Sequence, residues 1–342
     1  MASTDSRGWS LRPADNHDLD GICDVINAYS VAVRGTTRDA RRDVVLTWGQ
    51  PHFATETDTH VAVLPSGRII GYGEVEDTLA NHTRIGSWVR VHPDFRGQGI
   101  ETELMEWIEA RARASVPLAP PDIRMSLSQG VPDEDELVNA LFQERGYAVI
   151  RHFLRMAIEL DREIPEPRWP EGVTVRTFDL EEDLEETVHA YRDAFQDHWG
   201  HVRVPFEEDL REWDHWLRND PNFDPTLTFL AVSGSTIVGL SACDPKFSED
   251  PEMGFVDVLG VRRGWRRRGI ALALLHHTFR EFQQRGQKRV GLGVDATSLT
   301  GANRVYEASG MRPTQRTTVY ETVLREGTNL SVQMLGDGEG ET

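Results

Sequence analysis

The stretch Val256-Asp-Val-Leu-Gly-Val-Arg-Arg-Gly-Trp-Arg-Arg-Arg-Gly-Ile-Ala271 decides the fold of the second half of this chain. Its apolar start predicts a β-strand, and five arginines then lead through Gly269 into a helix that begins at Ile270. The start of a helix presents unpaired backbone N–H groups and a partial positive charge. A glycine there lets a phosphate approach the backbone, and arginines add countercharge. The stretch predicts a pyrophosphate cradle; the alternative is a solvated turn with scattered arginines.

The same pattern occurs earlier in the 342-residue chain. The segment Val91-His-Pro-Asp-Phe-Arg-Gly-Gln-Gly-Ile100 matches Val261-Arg-Arg-Gly-Trp-Arg-Arg-Arg-Gly-Ile270. Two further pairs of segments match in the same order, 61–71 with 230–239 and 141–147 with 305–311. Ordered self-similarity of this kind predicts two tandem copies of one fold.

The second copy has a readable order of elements, βααβββαβαβ. Apolar alternation predicts the strands, and residues 270–284 have helical spacing that ends before Gly286. This order predicts an α/β (α+β) fold in which each of two tandem domains has a mixed, mostly antiparallel sheet flanked by helices. We expect an N-terminal domain at 1–160, a proline-rich linker at 161–172, a C-terminal domain at 173–327 and a disordered tail at 328–342.

The composition restricts the class of protein and its partners. A formal net charge of −19 disfavours nucleic acid and anionic membranes as partners. The first ten residues are polar, and no apolar stretch approaches the ~20 residues that span a bilayer. The two cysteines form neither a disulfide framework nor a metal-ligand pattern. We therefore predict a cytoplasmic protein without a metal, either a monomer or a homodimer.

Two motifs of the second copy resemble the GNAT superfamily of acetyl-CoA-dependent N-acetyltransferases. Arg266-Arg-Arg-Gly-Ile-Ala271 fits the family signature Gln/Arg-x-x-Gly-x-Gly/Ala, and Val305-Tyr-Glu-Ala-Ser-Gly-Met311 resembles the family's Leu-Tyr-Glu-x-x-Gly-Phe. With its repeat, the chain resembles the tandem two-domain type of the family, the type of mycothiol synthase. The resemblance implies acetyl-CoA as the cofactor, bound by Leu259, Gly260, Val261, Arg266, Arg267, Arg268, Gly269, Ile270, Ala271 and Ser298.

The resemblance also implies two catalytic side chains. Acyl transfer to an amine needs a group that deprotonates or anchors the ammonium and an acid for the leaving thiolate. Asp257 lies on the strand where many members of the family have an acidic residue for the amine, and Tyr306 lies where the family often has its thiolate acid. Alternation places Asp257 on one strand face with Leu259 and Val261. The alternatives are a carboxylate paired with an arginine and a tyrosine that only packs on the cofactor.

The first copy differs from the second at each of these points. Glu101 stands in the place of Ala271, Ser87 in the place of Asp257, and Phe142 in the place of Tyr306. A carboxylate at residue 101 would occupy the position expected for the pyrophosphate. We therefore predict that the N-terminal domain is non-catalytic and shapes the acceptor site; the alternative is that it still holds CoA loosely through Arg96 to Gly99.

The acceptor residues are predicted from two segments of the second copy. His198 and Trp199, and the helix with Trp213 and Trp216, fall where the family has its acceptor-facing helices. A binding-site wall of histidine and tryptophan side chains suits a cationic amine, although the two helix tryptophans could equally be ordinary core residues. The leading hypothesis is acyl transfer to a primary amine of a small molecule, which could be a metabolite, an antibiotic or a mycothiol precursor. The alternatives are a CoA-binding regulatory module without turnover and a protein N-acetyltransferase.

Overall fold

A computed structural model describes residues 8–79, 81–297 and 301–332 of the chain. The chain forms two compact units. One unit contains the described residues up to Arg151 together with Thr317–Leu330. The other contains His152–Arg316 and the described residues from Ser331 onward.

Each copy contains the predicted alternation of strands and helices. The described elements of the first copy are β1 (Ser10–Pro13), α1 (Leu19–Arg34), α2 (Ala40–Trp48), α3 (Thr55–Asp58), β2 (Thr59–Val63), β3 (Ile69–Glu76), β4 (Arg84–Val91), α4 (Ile100–Ala114), β5 (Met125–Pro132), α5 (Glu136–Glu144) and β6 (Ala148–Glu159). Those of the second copy are β7 (Thr174–Thr177), α6 (Leu180–Phe195), α7 (Phe206–Asn219), β8 (Thr228–Ser233), β9 (Thr236–Asp244), β10 (Met253–Val261), α8 (Ile270–Gln284), β11 (Arg289–Asp295), α9 (Ala302–Ala308) and β12 (Arg312–Arg325). The predicted order of the second copy and the predicted fold class are confirmed.

The two copies exchange their last strands. The strand order is β1-β2-β3-β4-β5-β12 in the first unit and β6-β11-β10-β9-β8-β7 in the second. β12, the last strand of the second copy, pairs with β5 over Thr317–Arg325. β6, the last strand of the first copy, pairs with β11 over Phe153–Glu159. The domain limits predicted from the sequence follow chain order, whereas each compact unit is completed by a strand from the other copy.

Helices cover both faces of the sheet in the second unit. Along β8, Phe229 and Ala231 belong to the apolar cluster around α8, whereas Leu230 belongs to the cluster around α6 and α7. α8 buries one stripe that includes Ile270 and Leu274, because residues four apart share a helix face. Access of a ligand to this sheet therefore needs an opening between its strands.

Two segments predicted to lie outside the packed domains are partly ordered. Within the predicted linker, Ile164 is buried in the core of the second unit. Within the predicted tail, Thr328 and Ser331 each form a β-bridge to a residue of their own unit, so 328–332 differ from the expected disorder. The rest of that tail, 333–342, lies outside the described residues. Among the helices described, none is both long and apolar enough to cross a membrane.

Candidate active site

The strands β10 and β11 separate to form a wedge in the second unit. They pair in parallel only over Met253–Val256 and Arg289–Leu292. Beyond that point, β10 continues beside β9 as far as Val261, and β11 continues beside β6 as far as Asp295. Within the described part of the chain, the facing edges of the two strands then have no strand partner. Backbone N–H and C=O groups along such an edge can pair with a ligand. At the far ends, the Val261 carbonyl oxygen accepts from the Arg266 guanidinium at 3.4 Å and the Asp295 carbonyl oxygen from the Asn303 amide at 3.2 Å.

A β-bulge lies where the wedge opens. The register of β10 against β9 shifts between Val256 and Val258, so Asp257 is the extra residue. Bulges redirect side chains, and Asp257 is an exposed residue in the wall of a cavity of about 930 Å³. Asp257, Leu259 and Val261 line that cavity together with Val256 and Gly260, and the bulge, which the sequence did not predict, interrupts the alternation at Asp257.

The arginine-rich turn has backbone conformations that suit an anion. Gly269 caps α8 with a φ of 85°, and Arg267 has a φ of 61°, a region that non-glycine residues rarely adopt. The first copy has Gly97 in the place of Arg267, with a φ of 71°. No described atom lies within 4 Å of the position that a Cβ on Gly269 would occupy. The N-terminus of α8 is therefore open to a phosphate.

Most of the predicted site residues line this one cavity. They are His198, Trp199, Asp257, Leu259, Gly260, Val261, Arg266, Arg267, Gly269, Ile270, Ala271 and Tyr306. Arg268 is not among the described wall residues: its guanidinium donates to the carbonyl oxygen of Gly264 and lies 4.7 Å from the Trp265 ring centre. Ser298, also predicted to bind the cofactor, lies outside the described residues.

Arg266 fastens the turn to the end of α6. Its guanidinium donates to the Asp197 carboxylate at 2.8 Å and to the Ala194 carbonyl oxygen at 2.9 Å. The same carboxylate lies 3.3 Å from Arg263. Arg266 and Arg263 therefore hold the arginine-rich turn in place through Asp197. Arg267 and Arg304 also line the cavity and add positive charge there.

Two side chains in the cavity have pKa values that matter for proton transfer. Burial raises the pKa of Tyr306 to about 12, so the phenol keeps its proton at neutral pH. No hydrogen bond to its hydroxyl is found in the described part of the chain. Partial burial lowers the pKa of His198, and the nearby Arg266 charge acts in the same direction. His198 is open to the cavity, and its imidazole is neutral at neutral pH.

An aromatic row connects the cavity to the interior of α6 and α7. The ring centres of His198 and Phe195 lie 4.4 Å apart, those of Phe195 and Tyr191 lie 4.6 Å apart, and those of Tyr191 and Trp213 lie 5.0 Å apart. Trp213 and Trp216 pack against the apolar cluster of that region and are not among the described wall residues. The structure thus brings His198 and Trp199 to the cavity, whereas the two helix tryptophans are half-buried and pack against the apolar cluster.

Several wall residues were not predicted from the sequence. They are Phe153, Ala194, Phe195, Val256, Arg263, Trp265, Leu272, Leu292, Gly293, Val294, Asp295, Ala302, Arg304, Val305 and Ala308. Arg263 belongs to the basic run already visible in the sequence. Phe153 gave no signal, because it lies in the first copy and reaches this wall only through the exchanged strand β6.

Two family comparisons match the two copies separately. The Acetyltransferase (GNAT) family matches residues 184–311, and the Acetyltransferase (GNAT) domain matches residues 52–149. The mycothiol acetyltransferase of Frankia casuarinae is 30% identical over 267 residues, which cover 75% of this chain and 73% of that protein. This chain belongs to the GNAT acetyltransferase family. It is an acyl-CoA-dependent N-acetyltransferase with two GNAT domains in tandem.

Other members of the GNAT family resemble the chain over most of its length. The mycothiol acetyltransferase of Streptomyces scabiei is 28% identical over 308 residues, covering 90% of this chain and 86% of that protein. A GCN5-related N-acetyltransferase from Sphaerobacter thermophilus has a TM-score of 0.76 at 30% identity, covering 96% of this chain and 99% of that one. A tandem GNAT protein from the clavulanic acid biosynthesis pathway has a TM-score of 0.69 at 17% identity, covering 94% of this chain and 100% of that one, which shows the fold alone.

In the first GNAT domain, a side chain occupies the turn that matches the arginine-rich turn of the second. The Gly97 N–H donates to both carboxylate oxygens of Glu101, at 3.2 and 3.3 Å, and Glu101 is buried. Arg96, the counterpart of Arg266, is paired with Asp135. Burial raises the pKa of Glu101, while the backbone N–H groups around it act in the opposite direction.

Three further features of the second unit's site differ in the first unit, although its strands β4 and β5 also pair only over Arg84–Gly86 and Ser126–Ser128. β4 pairs with β3 without a register shift, so the bulge is missing. Ser87 is buried and donates to the Ser128 carbonyl oxygen at 3.3 Å. Phe142 is fully buried, with its ring centre 5.2 Å from that of Tyr320. These internal contacts occupy the groups that the second unit presents to its cavity.

Proposed function

We propose that this chain transfers the acetyl group of acetyl-CoA to the primary amine of a small molecule, and that the second unit performs the reaction. The observation that supports this most is one cavity with three kinds of group in its wall. These are the open N-terminus of α8, a carboxylate on a β-bulge at Asp257, and a protonated phenol at Tyr306. The matching groups of the first unit are occupied by its own side chains, which supports a non-catalytic role for that unit.

The residues present fit acetyl-CoA. The Gly269 backbone is open where a Cβ would stand, and the α8 N–H groups suit a pyrophosphate with Arg263 and Arg267 nearby. The unpaired edge of β10 at Leu259–Val261 offers backbone donors and acceptors to an amide-containing chain. When bound, acetyl-CoA supplies an activated acetyl thioester.

Each candidate catalytic side chain has a defined proton task. Asp257, beside the wedge, would accept a proton from the incoming ammonium or hold that ammonium in place. Tyr306 keeps its proton up to a pKa of about 12 and would give it to a departing thiolate. His198 is a second candidate for the base, because its lowered pKa leaves it neutral and it lines the same cavity.

The first acceptor to test is the mycothiol precursor, a cysteinyl pseudo-disaccharide. Two of the relatives reported above are named mycothiol acetyltransferase, and the chain is 30% identical to that of Frankia casuarinae over 73% of the length of that protein. The net charge of −19 favours a cationic amine over an anionic acceptor. We place the reaction in the cytoplasm, as the sequence predicts.

The experiment measures CoA formed from acetyl-CoA with a panel of amines that includes the mycothiol precursor and aminoglycosides. CoA should be separated by chromatography, because a cysteinyl acceptor carries a thiol of its own. We expect turnover with at least one small amine and a loss of turnover in Asp257→Asn. Binding of acetyl-CoA without turnover of any amine would favour a regulatory module, and turnover of basic peptides alone would favour a protein acetyltransferase.

A further inference from the structure

The loop between α6 and α7 carries two wall residues of the cavity. It covers residues 196–205, and His198 and Trp199 line the cavity together with the arginine-rich turn. Gly200 follows them with a φ of 77°, a left-handed conformation that glycine adopts without strain. A loop outside helices and strands has few backbone hydrogen bonds of its own, so it opens more easily than the core. The arrangement of His198 and Trp199 therefore depends on what holds this loop.

Both ends of the loop are held by neighbouring parts of the second unit. At its start, the Asp197 carboxylate accepts from Arg266 at 2.8 Å and lies 3.3 Å from Arg263. At its end, the Val204 carbonyl oxygen accepts from the guanidinium of Arg192 at 2.9 Å. These contacts join the start of the loop to the arginine-rich turn and its end to α6.

The middle of the loop pairs with a segment near the end of the chain, which belongs to the same unit. The Gly200 N–H donates to the Val332 carbonyl oxygen at 2.8 Å, and the Val332 N–H donates to the His201 carbonyl oxygen at 3.0 Å. Val202 and Ser331 form an antiparallel bridge. Chain ends usually stay loose unless they are tied down in this way. We call residues 331–332 the strap.

The strap lies outside the repeated fold. The GNAT family match of the second copy ends at residue 311, and β12 ends at Arg325. The corresponding loop of the first unit, 35–39, is held by its own helices. There the Arg38 N–H donates to the Asn27 side-chain oxygen at 2.9 Å, and the Arg38 guanidinium pairs with Asp43. The loop that lines the cavity is thus held by a segment that follows the matched family domain.

We propose that the strap positions the acceptor side of the site by holding the α6–α7 loop so that His198 and Trp199 keep one arrangement at the cavity. This inference rests on the proposed function and extends it to residues that are not described as wall residues. Because Asp197 joins the start of the loop to the arginine-rich turn, loss of the strap frees the middle of the loop and leaves that turn in place. The strap therefore acts on the affinity for the acceptor amine and not on the affinity for acetyl-CoA.

The test removes one strap hydrogen bond in the full chain. Val332→Pro lacks the N–H that bonds to His201, and proline favours the extended conformation at residue 331 that a bridge needs. Val332→Ala is the matched control, because it keeps both backbone groups. The first readout is hydrogen exchange at the Gly200 amide without any ligand. We expect protection in wild type and Val332→Ala, and exchange at least about threefold faster in Val332→Pro.

The second readout separates the two substrates. With the mycothiol precursor as the amine, the KM for the precursor should rise about three- to tenfold in Val332→Pro, the factor that corresponds to one backbone hydrogen bond. The dissociation constant of acetyl-CoA should change less than about twofold in the same variant. Val332→Ala should match the wild type in both quantities.

An unprotected Gly200 amide in the wild type would overturn the proposal, and this measurement decides even if Val332→Pro does not fold. Equal Gly200 exchange in Val332→Pro and wild type would also overturn it, as would equal losses of affinity for the precursor and for acetyl-CoA. Failure of the proposed function has a different signature. The wild type would then release no CoA with any amine of the panel, while Gly200 exchange would still differ between Val332→Pro and Val332→Ala.

Discussion

Replacing Tyr306 by Phe tests the acid of the proposed reaction with a minimal change. The variant loses one hydroxyl, for which no protein partner is found among the described residues, and keeps the ring that packs in the core. The free energy of unfolding should therefore change by less than about 0.5 kcal/mol, the range of a substitution that breaks no buried contact. A general acid contributes roughly 10²–10³-fold, or about 3–4 kcal/mol, and this loss should fall on kcat.

The first copy supports the expected tolerance of the ring. Phe142, the counterpart of Tyr306, is fully buried in the same fold without a hydroxyl. Burial raises the pKa of Tyr306 to about 12, so the wild-type acid stays protonated and should cause no loss of kcat between pH 7 and pH 10. The phenol would lose its proton, and its acid function, only as the pH rises toward that value.

The assay compares kcat of wild type and Tyr306→Phe at saturating acetyl-CoA, with acetyl-CoA affinity measured separately. Tyr191→Phe is the control, because Tyr191 is another phenol of the same unit; it is half-buried, stacks on Phe195 and is not a described wall residue. The control should keep kcat within about twofold. A fall of less than about threefold in Tyr306→Phe, with the chemical step shown to limit turnover, would refute the acid assignment.

Four further substitutions test the rest of the site. Glu101→Ala should free the Gly97 N–H in the first unit and strengthen acetyl-CoA binding there by about 1.5–3 kcal/mol, the scale of a charge-assisted hydrogen bond. Calorimetry should then show a second binding site for acetyl-CoA, where the wild type has one strong site. Arg266→Glu should weaken acetyl-CoA binding by at least about 1.5–3 kcal/mol, because it removes a cation and sets a carboxylate against Asp197. An unchanged acetyl-CoA affinity would mean that the pyrophosphate cradle lies elsewhere. Asp257→Asn should lower kcat/KM at least about 100-fold and His198→Gln less than tenfold, as expected when one group is the main base. The reverse ranking would make His198 the base, and its lowered pKa then predicts that activity is lost only as the pH falls below about 6.5.

The helices and strands of the second copy could be predicted because short stretches of sequence determine where each of them begins and ends. Gly269 and Gly286 bracket a helix with apolar residues at helical spacing, and α8 indeed runs over Ile270–Gln284. The turn Ser233-Gly-Ser235 separates two apolar runs, and β8 and β9 flank it. In each case a few adjacent residues determine the backbone, so no knowledge of distant contacts was needed.

Features that depend on distant contacts were not predictable. The β6 and β12 sequences favour strands, but nothing in them specifies which sheet each one joins, since pairing is decided by side chains far away in the chain. The bulge at Asp257 is likewise visible only in the register of β10 against β9. Trp213 and Trp216 have helical spacing that fits a core or a ligand wall equally well, and the packing of the helix decides between the two.

The exchanged strands set an order of events during synthesis. The first unit needs residues Thr317–Arg325 to cover β5, so on the ribosome it cannot finish folding until the second copy has been translated as far as those residues. Until then β5 is an open edge that another nascent chain could pair with. The second unit has its borrowed strand β6 from the start, because that strand precedes it in the chain. A chain cut between the two copies would leave each half without the strand that the other copy supplies, so each half would have to bring its own last strand into its own sheet.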